Sequence, residues 1–308
     1  MHGYKRYYFL LFVIYFFLFG IFIYAKNNPA EYYQILLSSN PLSFNVQDPR
    51  LSQIVEANLK DVEGEFSIVI EDLEEGSQKS YSYNPDSVFP SASLYKIFVI
   101  AAVYQEIENG NLKIDEVVGN SKAGLTEQLG ELDYGYDQWE GDRIEYSVEE
   151  ALRRVAENSD NFASLILANK VSWEKVQEQA NKIGATSTTI KSPISTSASD
   201  IALFFKKLYK KQIVSESASG EIIDLLARAK INNRIPGKLP EGLKIAHKTG
   251  ELARIRHDAG IVFLEGNPYL IVMMSQNLKG EDDGIEALAN ISGGAYDYFS
   301  SEISKSGQ

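Results

Sequence analysis

The 308-residue chain has no cysteine, and its 30 lysine and arginine residues are outnumbered by 42 aspartate and glutamate residues. Without cysteine the chain cannot be a disulfide scaffold or an enzyme that uses a thiolate. The net charge of −12 argues against a polybasic protein that binds nucleic acid, so we expect no nucleic-acid partner. Hydrophobic residues still make up 44% of the chain, which favours a packed core over wholesale disorder.

Several common catalytic patterns are missing as well. The sequence has no Gly-x-Ser-x-Gly elbow, no His-Glu-x-x-His zinc pair, no phosphate-binding loop and no dinucleotide-binding glycine fingerprint. A Ser-His-Asp triad would need His257 and Asp258 beside a serine for which the sequence gives no signal. We therefore expect a chain that needs neither a metal nor an organic cofactor.

A long apolar run stands near the N-terminus, where residues 7–25 (YYFLLFVIYFFLFGIFIYA) contain no charge and no proline. This is roughly the 20 residues that a helix needs to cross a bilayer. Lys5 and Arg6 precede the run, so the positive-inside rule places the N-terminus in the cytoplasm. The alternative is a cleaved signal peptide, but the run exceeds the usual ~15 apolar residues and Ile23-Tyr24-Ala25 is a poor cleavage site.

These features predict a single-pass membrane protein with an extracytoplasmic domain, or a secreted protein if the first segment is cleaved. Residues 1–26 would form a cytoplasmic tip and a transmembrane signal anchor. Residues 27–48 mix proline, asparagine and serine and would form a linker. The domain would occupy residues 49–303, and residues 304–308 would form a tail.

Hydrophobic periodicity predicts an α+β domain. Alternation at 66–70 and 81–83 indicates one β-hairpin, and two apolar runs at 261–264 and 269–274 indicate a second. Strands from both ends of the domain should therefore meet in one antiparallel sheet. Helical spacing is found before, between and after these hairpins, at 51–59, 94–104, 147–156, 162–171, 173–183, 198–209, 221–229 and 284–299.

Lys96 is the only charged residue in the apolar run 94–104. A buried ammonium must find polar partners or lose its proton, and Ser93 stands one helical turn earlier on the same face. This pair predicts a serine nucleophile activated by a lysine. A second Ser-x-x-Lys, Ser172 to Lys175, lies in a polar stretch where the lysine can be solvated.

Two further motifs follow in order: Ser159-Asp160-Asn161 between two helical stretches, and Lys248-Thr249-Gly250 after a strand-like lead-in. With Ser93-x-x-Lys96 they make the chain resemble the serine β-lactamase and penicillin-recognising enzyme superfamily, and within it the class A β-lactamase-like group. The resemblance covers nearly all of residues 51–299. It implies an antiparallel sheet flanked by helices plus a mostly helical subdomain.

The resemblance also implies catalytic roles. Ser93 would attack a β-lactam or acyl-peptide carbonyl, with Lys96 as its general base. Ser159 would relay a proton to the departing nitrogen. The backbone N–H groups of Ser93 and Glu251 would form the oxyanion hole.

The remaining motif residues are expected to bind substrate or to support the site. Asn161 would hold Lys96 and a substrate amide, and Asp160 would be structural. Lys248 and Thr249 would bind the substrate carboxylate, and Gly250 would let the substrate backbone approach its strand.

The stretch after Lys248 carries further basic residues. Arg254 or Arg256 would bind the substrate carboxylate, or both would be ordinary charges on a solvated hairpin. His247 and His257 flank Lys248, and we expect both to be ordinary charges on this solvated hairpin. The insert 119–145, rich in Gly, Asp and Tyr, would line the cleft or cap the helical region.

The chain departs from class A β-lactamases in one segment. Those enzymes carry an omega loop with a glutamate and an asparagine that activate the deacylating water, whereas residues 185–199 (ATSTTIKSPISTSAS) contain no Asp, Glu or Asn. Glu174 and Glu178 fall on the preceding predicted helix and are not assigned this role. We therefore expect slow hydrolysis of the acyl-enzyme.

Three functions follow from these observations. The first is a β-lactamase-like serine hydrolase with a place in antibiotic resistance, and the second is a D,D-peptidase that acts on peptidoglycan stem peptides. The third is a non-catalytic envelope protein that binds a β-lactam or a peptide.

Overall fold

A computed structural model of the chain describes residues 47–77, 79–130 and 141–306. The predicted anchor, nearly all of the predicted linker and the middle of the insert 119–145 lie outside the described residues. Within residues 47–306, no described helix combines the length and the apolar character needed to span a bilayer.

The elements of the described residues are given in chain order. They are α1 (Pro49–Leu59), β1 (Glu65–Asp72), β2 (Ser80–Tyr83), β3 (Val88–Pro90), a 3₁₀ helix (Ala92–Tyr95), α2 (Lys96–Glu108), β4 (Val117–Ser121), α3 (Lys122–Leu129), β5 (Arg143–Ser147), α4 (Val148–Asn158), α5 (Asn161–Val171), α6 (Trp173–Ile183), β6 (Ser195–Ser197), α7 (Ala198–Tyr209), α8 (Glu216–Leu226), a second 3₁₀ helix (Pro236–Lys238), β7 (Ile245–Leu252), β8 (Ile255–Val262), β9 (Tyr269–Gln276) and α9 (Glu281–Ser306).

Both predicted hairpins belong to one five-stranded sheet, as expected. Its order is β2-β1-β9-β8-β7, and every neighbouring pair is antiparallel. β1 pairs with β9 along its whole length, from Glu65 opposite Gln276 to Asp72 opposite Tyr269. The first and last strands of the domain are therefore held together by a ladder of backbone hydrogen bonds. This leaves β7 as one edge of the sheet.

Alternate residues of β9 serve two separate cores. Met273 and Ile271 pack on one face with residues of α1 and α9, such as Leu51 and Phe299. Val272 and its neighbours on the other face pack with the helices α2, α5 and α7. Side chains of a strand alternate between the two faces of its sheet. The apolar run 269–274 in β9 therefore indicates a sheet that is covered on both faces.

The predicted helices are present with some shifts at their ends. Ser147 accepts a hydrogen bond from the backbone N–H of Glu150 and starts α4, as the capping-box spacing predicts. The helix expected at 221–229 begins instead at Glu216, because the side chain of Ser215 caps it by accepting from the N–H of Ala218. The closing helix runs from Glu281 to Ser306, beyond both ends of the expected 284–299.

Candidate active site

Ser93 lies in the 3₁₀ helix that leads directly into α2. The Ser91 side chain caps this turn by accepting from the N–H of Tyr95 at 3.1 Å, and the Ser91 carbonyl accepts from the N–H of Leu94 at 3.0 Å. Ala92 has φ +45°, in the left-handed region that a residue with a Cβ rarely adopts. This strained turn presents Ser93 in the first turn of a helical segment, where backbone N–H groups lack intrahelical partners.

Lys96 is fully buried, one turn after Ser93. Its Nζ donates to the Ser159 carbonyl at 2.5 Å, to Asn161 Oδ1 at 2.7 Å and to Ser159 Oγ at 3.3 Å. Burial holds the pKa of Lys96 well below its usual range, and nearby Lys248 lowers it further, while Asp160 opposes the shift. A lysine with a lowered pKa can accept a proton from a neighbouring hydroxyl.

The Ser159-Asp160-Asn161 motif forms the short connection between α4 and α5. Ser159 ends α4 with φ +57°, and Asp160 begins α5 by accepting from the N–H of Ala163 at 2.9 Å. Two helix ends thus orient Ser159 and Asn161 toward Lys96, and Asp160 fixes the start of α5.

Lys248 reaches the same hydroxyl from the sheet. It is buried on β7, and its Nζ donates to Ser159 Oγ and to the Thr249 carbonyl, both at 2.8 Å. Burial lowers the pKa of Lys248 to about 7; Asp258 and Glu251 oppose the shift and Arg234 adds to it. Ser159 Oγ therefore bridges two buried lysines, which is a short path for a proton.

Gly250 brings β7 against the nucleophile turn. A Cβ at Gly250 would stand 3.2 Å from Ala92 Cβ and 3.3 Å from His257 Cβ, which is tight contact on both sides. Gly250 on β7 therefore contacts Ala92, which precedes Ser93, and Glu251 is the next residue along β7. The structure brings together the backbone segments whose N–H groups were expected to form the oxyanion hole. The role expected for Gly250 toward a substrate stays a prediction.

Arg254 and Arg256 contact the segment that leads into α9, and neither contacts Lys96 or Lys248 in the described structure. Arg254 donates to the carbonyls of Leu278 and Asn277, both at 2.9 Å, and Arg256 forms an ion pair with Glu281 at the start of α9. These partners occupy both guanidinium groups. The expectation that one of them binds a substrate carboxylate stays a prediction.

Arg234 is the buried guanidinium that the sequence reasoning missed. It is fully buried before the second 3₁₀ helix, forms an ion pair with Glu251, and contributes to the lowered pKa of Lys248. Its Nε and Nη1 have no hydrogen-bond partner among the described residues. Buried donors without partners are rare in folded proteins, so Arg234 is an unusual feature of this region.

The segment that carries Arg234 is held by His247 and Asp258. His247 contacts Asp258 Oδ1 through Nδ1 at 2.9 Å and Asn232 Oδ1 through Nε2 at 3.1 Å. Asp258 also accepts from the backbone N–H of Ile235 at 2.9 Å. His247, Asp258 and His257 are all buried, so the expectation that the two histidines are ordinary charges on a solvated hairpin is wrong.

A known family matches most of the chain. The sequence profile of the Beta-lactamase enzyme family matches residues 50–299. The chain belongs to this family.

Individual relatives are distant but cover nearly the whole domain. The extended-spectrum β-lactamase PER-1 of Pseudomonas aeruginosa is 22% identical over 297 residues, which is 88% of this chain and 94% of PER-1. The structure of a PBP-A mutant as its acyl-enzyme complex with penicillin G is 23% identical with a TM-score of 0.73, covering 82% of this chain and 96% of PBP-A. A β-lactamase structure from Sphaerobacter thermophilus DSM 20745 has a TM-score of 0.72 at 19% identity, covering 81% and 97%. The α+β fold of β-lactamases and penicillin-binding proteins is thereby confirmed.

The segment that departs from class A β-lactamases is a short anchored loop, residues 184–194. Thr189 and Ser195 pair through two backbone hydrogen bonds, and the Ile194 carbonyl accepts from the N–H of Ser91 at 3.0 Å. The loop thus rests on the nucleophile turn and supplies no carboxylate there. Glu174 and Glu178 are exposed on α6, as expected.

The second Ser-x-x-Lys motif is separate from the site. Ser172 caps α6, and Lys175 forms an ion pair with Glu106 at 2.5 Å. Both residues therefore have structural partners, and the pair serves as an internal control for Ser93 and Lys96.

Proposed function

We propose that this β-lactamase family member is a serine acyl-transfer enzyme that β-lactams acylate at Ser93 and that releases the acyl group slowly. The observation that carries the proposal is the Ser159 hydroxyl, which lies within hydrogen-bonding distance of both Lys96 Nζ and Lys248 Nζ. Such an arrangement supplies a base for the nucleophile and a return path for its proton.

Acylation would proceed by proton transfer, attack on the carbonyl carbon and cleavage of the carbon–nitrogen bond. Lys96, with its lowered pKa, accepts the Ser93 proton while Ser93 Oγ forms a bond to the lactam carbonyl carbon. The N–H groups of Ser93 and Glu251 stabilise the oxyanion. The carbon–nitrogen bond then breaks, and the proton passes from Lys96 through Ser159 to the departing nitrogen. This step needs no group beyond the chain and its substrate.

Substrate recognition would depend on the buried cations. A β-lactam carries a carboxylate, and Lys248 with Thr249 faces Ser159 from β7. Arg234, with two unpartnered nitrogens beside Glu251, would complete the anion site. Asn161 would bind the substrate amide while its Oδ1 holds Lys96.

Slow deacylation follows from the loop 184–194. Hydrolysis of an acyl-enzyme needs a base that positions water, and this loop rests on Ser91 without an acidic residue. Lys96 or Ser159 would have to serve instead. The same feature supports the second candidate, a D,D-peptidase acting on peptidoglycan stem peptides. The fold shared with PBP-A, whose mutant was obtained as an acyl-enzyme with penicillin G, agrees with either candidate.

We place this chemistry at the outer face of a cell membrane. The support is the uncharged run at 7–25 with Lys5 and Arg6 before it. A folded domain starting near residue 47 would then be tethered by the linker, within reach of the cell wall.

The test is an intact-mass time course of the full-length protein with benzylpenicillin. We expect a mass gain of one penicillin that persists, followed by slow recovery. Rapid multiple turnover would contradict slow deacylation, and the absence of any mass gain would contradict acylation. Release of D-alanine from a model peptide would favour the peptidase over the lactamase.

The nucleophile is tested by a matched pair of variants. Ser93→Ala should abolish labelling by a fluorescent penicillin, because it removes the attacking hydroxyl. Ser172→Ala, in the second Ser-x-x-Lys motif, should leave labelling unchanged. Labelling that survives Ser93→Ala would refute the assignment.

A further inference from the structure

His257 is a fully buried side chain on β8 with a single defined tautomer. Its Nδ1 accepts from the backbone N–H of Ser275 on β9 at 3.1 Å, so the ring proton stands on Nε2. Nε2 then donates to the Pro90 carbonyl at 2.9 Å. Burial lowers the pKa of His257 to about 4, which keeps the ring neutral, as the bond accepted by Nδ1 requires.

The same imidazole contacts both segments that flank the reacting centre. On one side it holds β3, through Pro90 and through an edge-on contact with the Phe89 ring at 6.4 Å between centroids. On the other side it lies opposite Gly250 in the β7–β8 register, where a Gly250 Cβ would stand 3.3 Å from His257 Cβ. One side chain therefore spans from β3, the strand before Ser93, to Gly250, the residue before Glu251 on β7.

The nucleophile turn needs support from outside. Ala92 is held at φ +45°, and a non-glycine residue persists in this strained region only where its surroundings fix it. The hydrogen bonds of Ser91 fix the turn toward α2. Toward β3, polar support comes from the pairing of β3 with β6, from Ile194, which accepts from Ser91, and from His257, which donates to Pro90.

We propose that His257 is a positioning residue for acylation, because it sets the separation between the N–H groups of Ser93 and Glu251. It touches no substrate, and it acts by tying Pro90 to the sheet while filling the space beside Gly250. This inference rests on the proposed function, since the two N–H groups matter only if they stabilise an oxyanion.

Two conservative variants separate the hydrogen bond to Pro90 from mere burial. His257→Gln keeps an N–H donor at about the reach of Nε2. His257→Asn keeps an acceptor near the position of Nδ1 for Ser275 but is too short to reach Pro90. Asn267→Ala is the matched control, because Asn267 is buried and donates to the Phe299 carbonyl at 2.9 Å in the core formed with α1 and α9.

The first readout is benzylpenicillin acylation of the full-length protein, resolved into the apparent dissociation constant and the limiting acylation rate. We expect His257→Asn to lower the limiting rate tenfold or more with the dissociation constant within twofold. His257→Gln should recover the rate to within threefold of wild type, and Asn267→Ala should leave it unchanged. Equal rates for the Asn and Gln variants, or an equal slowing by Asn267→Ala, would overturn the proposal.

The second readout does not depend on activity. Hydrogen–deuterium exchange of the peptide covering residues 88–96 should lose protection in His257→Asn but not in His257→Gln or Asn267→Ala. Unchanged protection in His257→Asn would overturn the proposal.

Two outcomes need a separate rule. If the wild type is not acylated, the proposed function fails, and the hydrogen–deuterium exchange of the variants alone decides on His257. If the Asn variant does not fold, ¹⁵N NMR of the wild type decides: a slowly exchanging proton on Nε2 supports the proposal, and a proton on Nδ1 contradicts it.

Discussion

At the scale of single residues, the chemistry depends on what surrounds Lys96. Its three hydrogen bonds go to oxygens of Ser159 and Asn161, and none of these groups is a carboxylate. An ammonium among neutral oxygens keeps its partners but lacks a counter-ion in direct contact. Burial and the second lysine therefore favour loss of the proton, and the neutral amine is the form that a general base needs.

Replacing Lys96 by arginine tests this reasoning. Lys96→Arg keeps a long cation in the site, but a guanidinium does not deprotonate in proteins and cannot act as the base. Acylation by benzylpenicillin should fall by about 10²- to 10⁴-fold. Lys175→Arg, in the second Ser-x-x-Lys motif, is the control and should acylate at the wild-type rate. A Lys96→Arg protein that folds by circular dichroism and acylates normally would show that Lys96 is not the base.

Some residues of the site could be predicted from the sequence, and others could not. Lys96 could be predicted because a lone charge in an apolar helix is a local anomaly. Arg234 could not, because it lies in a polar stretch with no periodicity, and only the folded chain places it beside Lys248 and Glu251. Arg254 and Arg256 are near Lys248 in sequence, but the turn after β7 directs them to the segment before α9.

At the scale of elements, the loop 184–194 is held by both neighbouring helices, through Gln177 of α6 and through a carboxylate of α7. Asp200 in the first turn of α7 is buried and accepts from the Ser187 N–H at 2.8 Å and from Thr188 Oγ1 at 2.7 Å. Thr188 Oγ1 also lies 2.8 Å from Thr196 Oγ1. The sequence showed that this segment has no acid of its own, but not that an acid from the next helix holds it on the nucleophile turn.

Removing that carboxylate should destabilise the protein. Asp200→Ala removes the acceptor of the part-buried Ser187 N–H and one acceptor of the buried Thr188 hydroxyl, and a buried group left unsatisfied costs about 1–3 kcal/mol. Asp224→Ala removes an exposed ion pair with Lys244 and should cost at most ~1 kcal/mol. Urea unfolding of the two variants compares the effects. An equal loss in both would mean that Asp200 does not hold the loop.

At the scale of the whole molecule, the site is assembled from distant parts of the chain. Ser93 and Lys96 come from the first helical segment after the N-terminal hairpin, Ser159 comes from the helical region, and Lys248 comes from the C-terminal part of the sheet. The alternating strands predicted that the two ends of the domain would meet in one sheet, as β1 and β9 do. That Ser93, Ser159 and Lys248 share a site was implied by the family resemblance. The acidic composition gave no hint that the centre is a cluster of buried basic side chains, because composition does not separate surface from interior.

This cluster should make the stability of the protein depend on pH. Lys248 has a pKa of about 7 when folded against 10.5 normally, so between these values the unfolded chain binds more protons. The free energy of unfolding therefore rises with pH in this window, by about 2 kcal/mol from pH 7 to pH 9 for this lysine alone. Lys248→Met lacks the group, and its urea unfolding should depend less on pH over the same range. If the free energies of unfolding of wild type and variant change in parallel from pH 7 to pH 9, burial does not hold the pKa of Lys248 near 7. In that case a partner within the protein, rather than a bound substrate, keeps Lys248 charged at neutral pH.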